Sequence, residues 1–242
     1  MKVLVIRFSS IGDVVLTTPI LRCLKEQKNC EVHFVIKKKY LQVLENNPHV
    51  DKFHTIDRSI QEIIGDLKKE QFDFVFDLQN NLNSFWIKRK IKSPYFTVNK
   101  KNWQKFFLIY LRWNMLNDHV VDRYFECISK AGFHNDEKGL DYYLPSDLSV
   151  DYDVSKSFAV WCLGASHHKK KLTKKQIIEV CNGMITPIVL IGGPNEKALA
   201  DEISNKTVHP SVTNLCGSIS LNQSAYLVKK SAFVLTNDTG IM

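Results

Sequence analysis

Lys2-Val3-Leu4-Val5-Ile6-Arg7-Phe8-Ser9-Ser10-Ile11-Gly12-Asp13, running on into the helical stretch Val14 to Lys25, is the passage on which the fold turns. A strand-like apolar run passes through a short polar turn straight into a helix. Further along, Val32 to Ile36 and Phe72 to Leu78 are again β-rich, with helix-compatible segments between them. That alternation predicts a parallel sheet with crossover helices. A second series follows in Phe158 to Leu163, Pro187 to Ile191 and Ala232 to Thr236. The expected fold class is therefore α/β, with two Rossmann-like, doubly wound parallel-sheet domains over residues 1–150 and 151–242. The aperiodic, Asp- and Ser-containing stretch Leu140 to Ser157 is the candidate linker between them. Only Ile241 and Met242 follow the last strand and its loop, so the second domain is expected to be cut short.

Composition narrows the class. With 242 residues, 44% hydrophobic and 24% charged, only ten Gly and seven Pro, the chain is globular and not disordered or fibrous. Its six cysteines, Cys23, Cys30, Cys127, Cys162, Cys181 and Cys216, show no C-x-x-C spacing and read as reduced core thiols. The first apolar run is too short for a signal peptide, and no run approaches the ~20 apolar residues of a membrane span. A cytoplasmic location is expected. The net charge is +8, and from Leu78 to Asn117 there are eight Lys or Arg and no acid, which favours an anionic partner. In that stretch Lys88, Arg89, Lys90 and Lys92 alternate with aromatic residues such as Trp86, Tyr95 and Phe96. This is the pattern either of a surface for an anionic, lipid-linked saccharide at the inner leaflet or of an amphipathic core helix with a solvated basic face. No nucleic-acid module accompanies it.

In open α/β sheets ligands bind beyond the carboxyl ends of strands, so the turns there carry the functional reading. In the first, Gly12 permits a close turn and Asp13 lands at a helix start, where it is either an N-cap or a carboxylate placed to accept the proton of an attacking hydroxyl. The second, Gly164-Ala165-Ser166-His167-His168-Lys169-Lys170-Lys171, offers amides, a hydroxyl and lysines to a diphosphate, or is a solvated helix entry. Its adjacent histidines converge poorly on one ion, so no metal site is expected. The third turn, Gly192-Gly193-Pro194-Asn195-Glu196, brings a carboxylate that suits ribose hydroxyls or simply a helix N-terminus. The fourth, Asn237-Asp238-Thr239-Gly240, can meet phosphate or sugar, or be an ordinary strand-to-helix turn.

Taken in order, Lys2 to Pro19, Gly164 to Leu172, Ile191 to Glu196 and Asn237 to Gly240 resemble the motifs of glycosyltransferase family 9, which includes the ADP-heptose:lipopolysaccharide heptosyltransferases. The resemblance implies a GT-B-like pair of domains and an inverting transfer of a heptose from ADP-heptose to a lipopolysaccharide-core-type acceptor. The alternative is a non-catalytic or different nucleotide-sugar-binding protein on the same fold. By resemblance the general base falls on Asp13, the donor contacts on Ala165, Ser166, Lys170, Glu196, Asp238, Thr239 and Gly240, and a base-pocket residue on Ile219. Ser10, Gly12, Lys88 and Arg89 are assigned to the acceptor side. No cofactor or divalent ion is required, since lysine and amides can meet the charge of the leaving diphosphate. Two departures stand out: Leu172 and Thr173 replace an aromatic and a proline, and the histidine that follows the family's late loop is absent.

Overall fold

The structure, a computed structural model, describes residues 1–100, 119–164, 172–208 and 211–237. It separates into two compact units, Met1–Tyr143 and Leu144–Met242, with the division inside the stretch Leu140 to Ser157.

The first unit is built on five parallel strands in the order β3-β2-β1-β4-β5: β1 Lys2–Ile6, β2 Glu31–Lys37, β3 Lys52–Ile56, β4 Phe74–Asp77 and β5 Tyr95–Thr97. Val3, Leu4, Val5 and Ile6 are wholly buried, because β1 is central and both faces of the sheet are covered by helices. Those helices are α1 Ile11–Val15, α2 Thr18–Lys28, α3 Gln61–Lys69, α4 Leu82–Ile91 and α5 Val120–Ser129. On α3 the buried residues are Ile63, Ile64 and Leu67, one face of a helical repeat, and they join the core with Leu4, Ile6, Val35 and Val75.

The helical run expected over Val14 to Lys25 is two helices, not one. Pro19 has no N–H with which to continue the ladder to Val15, and the Thr18 hydroxyl donates to the Val15 carbonyl in its place at 2.9 Å. Helix α2 ends on Asn29, whose φ of 44° is the left-handed cap conformation.

The second unit carries four parallel strands in the order β8-β7-β6-β9: β6 Ala159–Cys162, β7 Ile188–Ile191, β8 Val212–Asn214 and β9 Phe233–Thr236. Their helices are α6 Lys174–Gly183, α7 Lys197–Lys206 and α8 Leu221–Lys230. Alternate strand residues feed two cores. Trp161, Leu163, Ile188 and Leu190 pack with Ile177, Cys181, Ala200 and Ile203 on one face. Val160, Cys162, Val189 and Ile191 pack with Leu227 on the other, where Val150, Tyr152 and Val154 join them. Part of the expected linker is thus core-bound.

In each sheet the strand order reverses beside the first strand, between β1 and β4 and between β6 and β9. Those are the topological switch points, and the turns beyond them are the places for ligands. Among the described residues no helix is long and apolar enough to cross a membrane.

Candidate functional site

Beyond β1 the chain places Arg7, nearly buried, with its backbone N–H still on the Val35 carbonyl. Its guanidinium donates from Nε to the Ser9 carbonyl at 2.9 Å and from Nη1 to the Leu78 carbonyl at 2.7 Å. Its Nη2 lies 2.7 Å from Oδ2 of Asp13. Asp13 is the third residue of α1, and the same Oδ2 accepts from the Ser10 amide and hydroxyl, each at 3.1 Å. The N-cap of α1 is thus Ser10 and not Asp13, which stands at the third helical position and returns the capping-box bond to the Ser10 amide; its side chain remains 36% exposed. Among the described residues Oδ1 of Asp13 has no hydrogen-bonding partner.

Asp13 lines a pocket of about 380 Å³ with Arg7, Leu78, Val98, Asn99, Lys100, Val120, Arg123 and Tyr124. Three cations thus surround one carboxylate, a lining that suits an anionic ligand carrying a proton to give up. The buried Nε of Arg123 and hydroxyl of Tyr124 have no partner among the described residues. Burial pushes the Tyr124 phenol up to about 12, so it stays neutral and able to donate. Sequence reading missed Arg7, Arg123 and Tyr124. Only Arg7 left a signal, as a charge closing an apolar strand, where burial obliges it to find partners.

The close turn expected at Gly12 does not occur. Gly12 is the second residue of α1, and a Cβ there would meet nothing within 4 Å, so neither φ nor crowding demands glycine. Ser10 is the exposed N-cap of α1, its hydroxyl donating to Oδ2 of Asp13, and it is not among the residues that line the pocket.

Lys88 and Arg89 do not join this pocket. Lys88 is buried, its Nζ 2.6 Å from Oδ2 of the wholly buried Asp77 and 2.7 Å from the Thr97 hydroxyl. It is an internal counter-ion and not part of a solvated basic face. Arg89, in the last turn of α4, is exposed and lines a separate hollow of about 260 Å³ with Phe85, Lys92 and Tyr95.

In the second unit Glu196 closes the turn beyond β7. Its Oε2 accepts from the Gly193 amide at 3.1 Å, and its carboxyl carbon lies 4.0 Å from where a Cβ on Gly164, beyond β6, would stand. A Cβ on Gly192 would stand 3.0 Å from the Glu196 Cβ and 3.4 Å from the Cys216 sulfur, a tight fit that larger residues enter only if the turn gives way by a few tenths of an ångström. Gly217, with φ at +69°, allows the loop after β8 to approach the Pro194 backbone equally closely. Beyond β9, buried Asn237 donates from Nδ2 to the Leu163 carbonyl at 3.0 Å, joining the loops after β6 and β9. Ile219 packs against the core of this unit. Ala165, Ser166, Lys170, Asp238, Thr239 and Gly240 lie outside the described residues.

A His–carboxylate group also forms from Glu31, His33 and Glu70, its ligand atoms within 4.8 Å of one another. Lys2 already lies 3.2 Å from Glu31 and 2.6 Å from Glu70, and Lys52 2.6 Å from Glu70, so the negative charge is met by lysines. Lys2 and Glu31 open their strands, which puts the group at the edge of the sheet opposite Asp13.

Residues 60–242 match the sequence profile of glycosyltransferase family 9 (heptosyltransferase). A relative from Campylobacter coli, lipopolysaccharide heptosyltransferase 1, is 22% identical over 271 residues, covering 99% of this chain and 79% of its own length. The structure of a family 9 glycosyl transferase from Veillonella parvula superposes with a TM-score of 0.79 at 19% identity, covering 100% of this chain and 76% of that one. The E. coli heptosyltransferase WaaC with ADP gives 0.76 at 21% identity, with 100% and 82% covered. These likenesses show the GT-B-like fold of two parallel-sheet α/β domains.

Proposed function

From the family to which this chain belongs, glycosyltransferase family 9, we propose that it transfers a heptose from ADP-heptose to an anionic saccharide acceptor of lipopolysaccharide-core type, inverting the anomeric centre. That the chain is a glycosyltransferase follows from the family; the sugar, the acceptor and the residue roles are our reading. One observation supports it above the rest: a half-exposed carboxylate, Asp13, stands at the switch point of the first unit in a pocket whose other charged groups, Arg7, Lys100 and Arg123, are all cationic.

In this reading the acceptor lies in that pocket, its negative groups met by the cations and one hydroxyl against Asp13. The carboxylate takes the hydroxyl proton as the oxygen attacks the anomeric carbon. The bond from that carbon to the diphosphate breaks, and the electron pair leaves with ADP. The donor belongs to the second unit. Glu196 offers its carboxylate to the ribose, and Ser166, Lys170, Asp238, Thr239 and Gly240 carry over by resemblance as the diphosphate and sugar contacts, with Ala165 and Ile219 beside them. Nothing in the scheme requires a divalent ion. The bound ADP of the WaaC structure supports the choice of nucleotide.

A peripheral membrane contact on the cytoplasmic side belongs to the same reading. Leu82, Phe85, Trp86 and Arg89 recur at helical spacing along the outer face of α4, and Leu82 is 79% exposed. With Tyr95 beside them and no acid between Leu78 and Asn117, they form an aromatic and cationic strip suited to an anionic lipid surface.

The test is a transfer assay over a panel of nucleotide sugars, with product stereochemistry read by NMR. Asp13→Asn is expected to lower kcat by about 10²- to 10⁴-fold, the usual share of a general base, while leaving ADP binding intact. Full activity in that variant removes Asp13 from the chemistry. Binding of nucleotide sugar without turnover by the unaltered chain would favour a non-catalytic protein.

A further inference from the structure

We infer that Arg7 is a positioning residue for the transfer, holding Asp13 by one oxygen so that the other is reserved for the acceptor's proton; the inference rests on the reading of Asp13 as the base.

The geometry at both ends of the pair carries it. At the Arg7 end the planar fork is fixed before it reaches the carboxylate. Nε is spent on the Ser9 carbonyl and Nη1 on the Leu78 carbonyl, one from the turn after β1 and one from the turn after β4. Two carbonyls on different chain segments define the plane of a guanidinium, and a rigid fork loses little further freedom in presenting its remaining N–H. At the Asp13 end the partners converge on Oδ2: Arg7 Nη2 forms an ion pair with it at 2.7 Å, and the Ser10 amide and hydroxyl each donate to it at 3.1 Å. An oxygen that accepts two hydrogen bonds and faces a guanidinium has little capacity left as a base, whereas Oδ1 accepts none among the described residues. A clamp serving stability alone would gain more from the two-oxygen, fork-to-fork pairing that arginine and carboxylate commonly adopt. Here one oxygen is tied and the other kept open on a carboxylate that lines the pocket.

The consequence for the reaction is directional. As the acceptor oxygen bonds to the anomeric carbon, its proton moves to Oδ1 and the carbon–oxygen bond to the diphosphate breaks with its electron pair. The protonated carboxyl then loses its proton to water, and Oδ2 stays bonded throughout. Misplacing a reacting group by about 1 Å costs on the order of a hundredfold in rate, which sets the expected size of the effect.

The experiment is a double-mutant cycle on kcat using Arg7→Ala, Asp13→Asn and the double variant, with ADP binding and thermal melting measured alongside. Arg7→Ala is expected to lose about a hundredfold in kcat with little change in the donor KM, and methylguanidinium added to the assay should restore part of it. In the Asp13→Asn background the same substitution is expected to cost almost nothing further, because the two side chains act as one unit. Arg7→Gln, which can still bond one backbone carbonyl, repeats the cycle if the alanine variant does not fold. Equal losses in both backgrounds, or an undiminished kcat in a folded Arg7 variant, overturn the inference and leave the base intact. Full activity of Asp13→Asn instead overturns the base, and the role of Arg7 with it.

Discussion

His33 and His54 meet across β2 and β3, Nδ1 to Nε2 at 3.0 Å, both buried. One ring must donate and the other accept, so the pair has no room for two full protonations. Burial, helped by the neighbouring His33, holds His54 down to about 4, while Lys52 adds to the depression and Glu70 and Asp66 oppose it. The folded state therefore resists a proton that the unfolded chain accepts below about 6.5. The stability so gained is complete above that value and is lost as pH falls toward about 4. Thermal melting should show Tm dropping between pH 6.5 and 5, before the carboxylates of Glu70 and Asp136, both held down to about 2 by their cation partners, begin to matter. His54→Gln should flatten that drop; an unchanged slope would assign it elsewhere. Of the single residues that matter, Asp13 is legible in the sequence because a polar turn between strand and helix announces a carboxylate at a helix start. Arg7 is half legible, for a charge ending an apolar run must be paired, but spacing does not say with what. Arg123 and Tyr124 leave no mark, since α5 reaches the pocket only through tertiary packing.

At the level of elements, the alternating pattern makes β1, β2, β4, β6, β7 and β9 readable, and β3, β5 and β8 not. The missing three lie at sheet edges or are only three residues long, and their polar members, as in Lys52-Phe53-His54-Thr55-Ile56, break the apolar run that marks an inner strand. The same limit misreads α4. Its basic cluster looks like one solvated face, yet Ser84, Ile87 and Lys88 turn inward while Phe85, Trp86 and Arg89 turn out. What decides it is Asp77, a carboxylate at the end of a buried strand that already accepts from the amides of Gln79 and Asn80 and from the Ser84 hydroxyl. Removing its counter-ion strands a buried charge, so Lys88→Met should cost about 3–5 kcal/mol, read from the urea midpoint. The double variant Asp77→Asn, Lys88→Met should regain part of it. A loss under 1 kcal/mol in the single variant would mean that water reaches the pair.

For the whole molecule, the net charge of +8 and the outer strip of α4 bear on how the enzyme meets its acceptor. Vesicles containing phosphatidylglycerol should retain the protein at low salt, and neutral phosphatidylcholine vesicles should not. The triple variant Phe85→Ser, Trp86→Ser, Arg89→Glu should abolish retention while leaving the melting temperature nearly unchanged, because these side chains point outward. Undiminished binding by that variant would move the contact to another surface. The two-unit plan itself is visible in the sequence as a restarted strand pattern, whereas the proposed donor contacts Ala165, Ser166, Lys170, Asp238, Thr239 and Gly240 come from motif resemblance and lie outside the described residues. The cysteines bear on how the units can be studied. All six are free and buried, and burial pushes the thiols of Cys127 and Cys216 up to about 12 and those of Cys162 and Cys181 up to about 11. Thiols held so far from the thiolate form react slowly with electrophiles. A new surface cysteine would thus be the only fast-labelling site on an otherwise native chain, and one in each unit would carry a pair of spin labels to follow their separation as donor and acceptor are added.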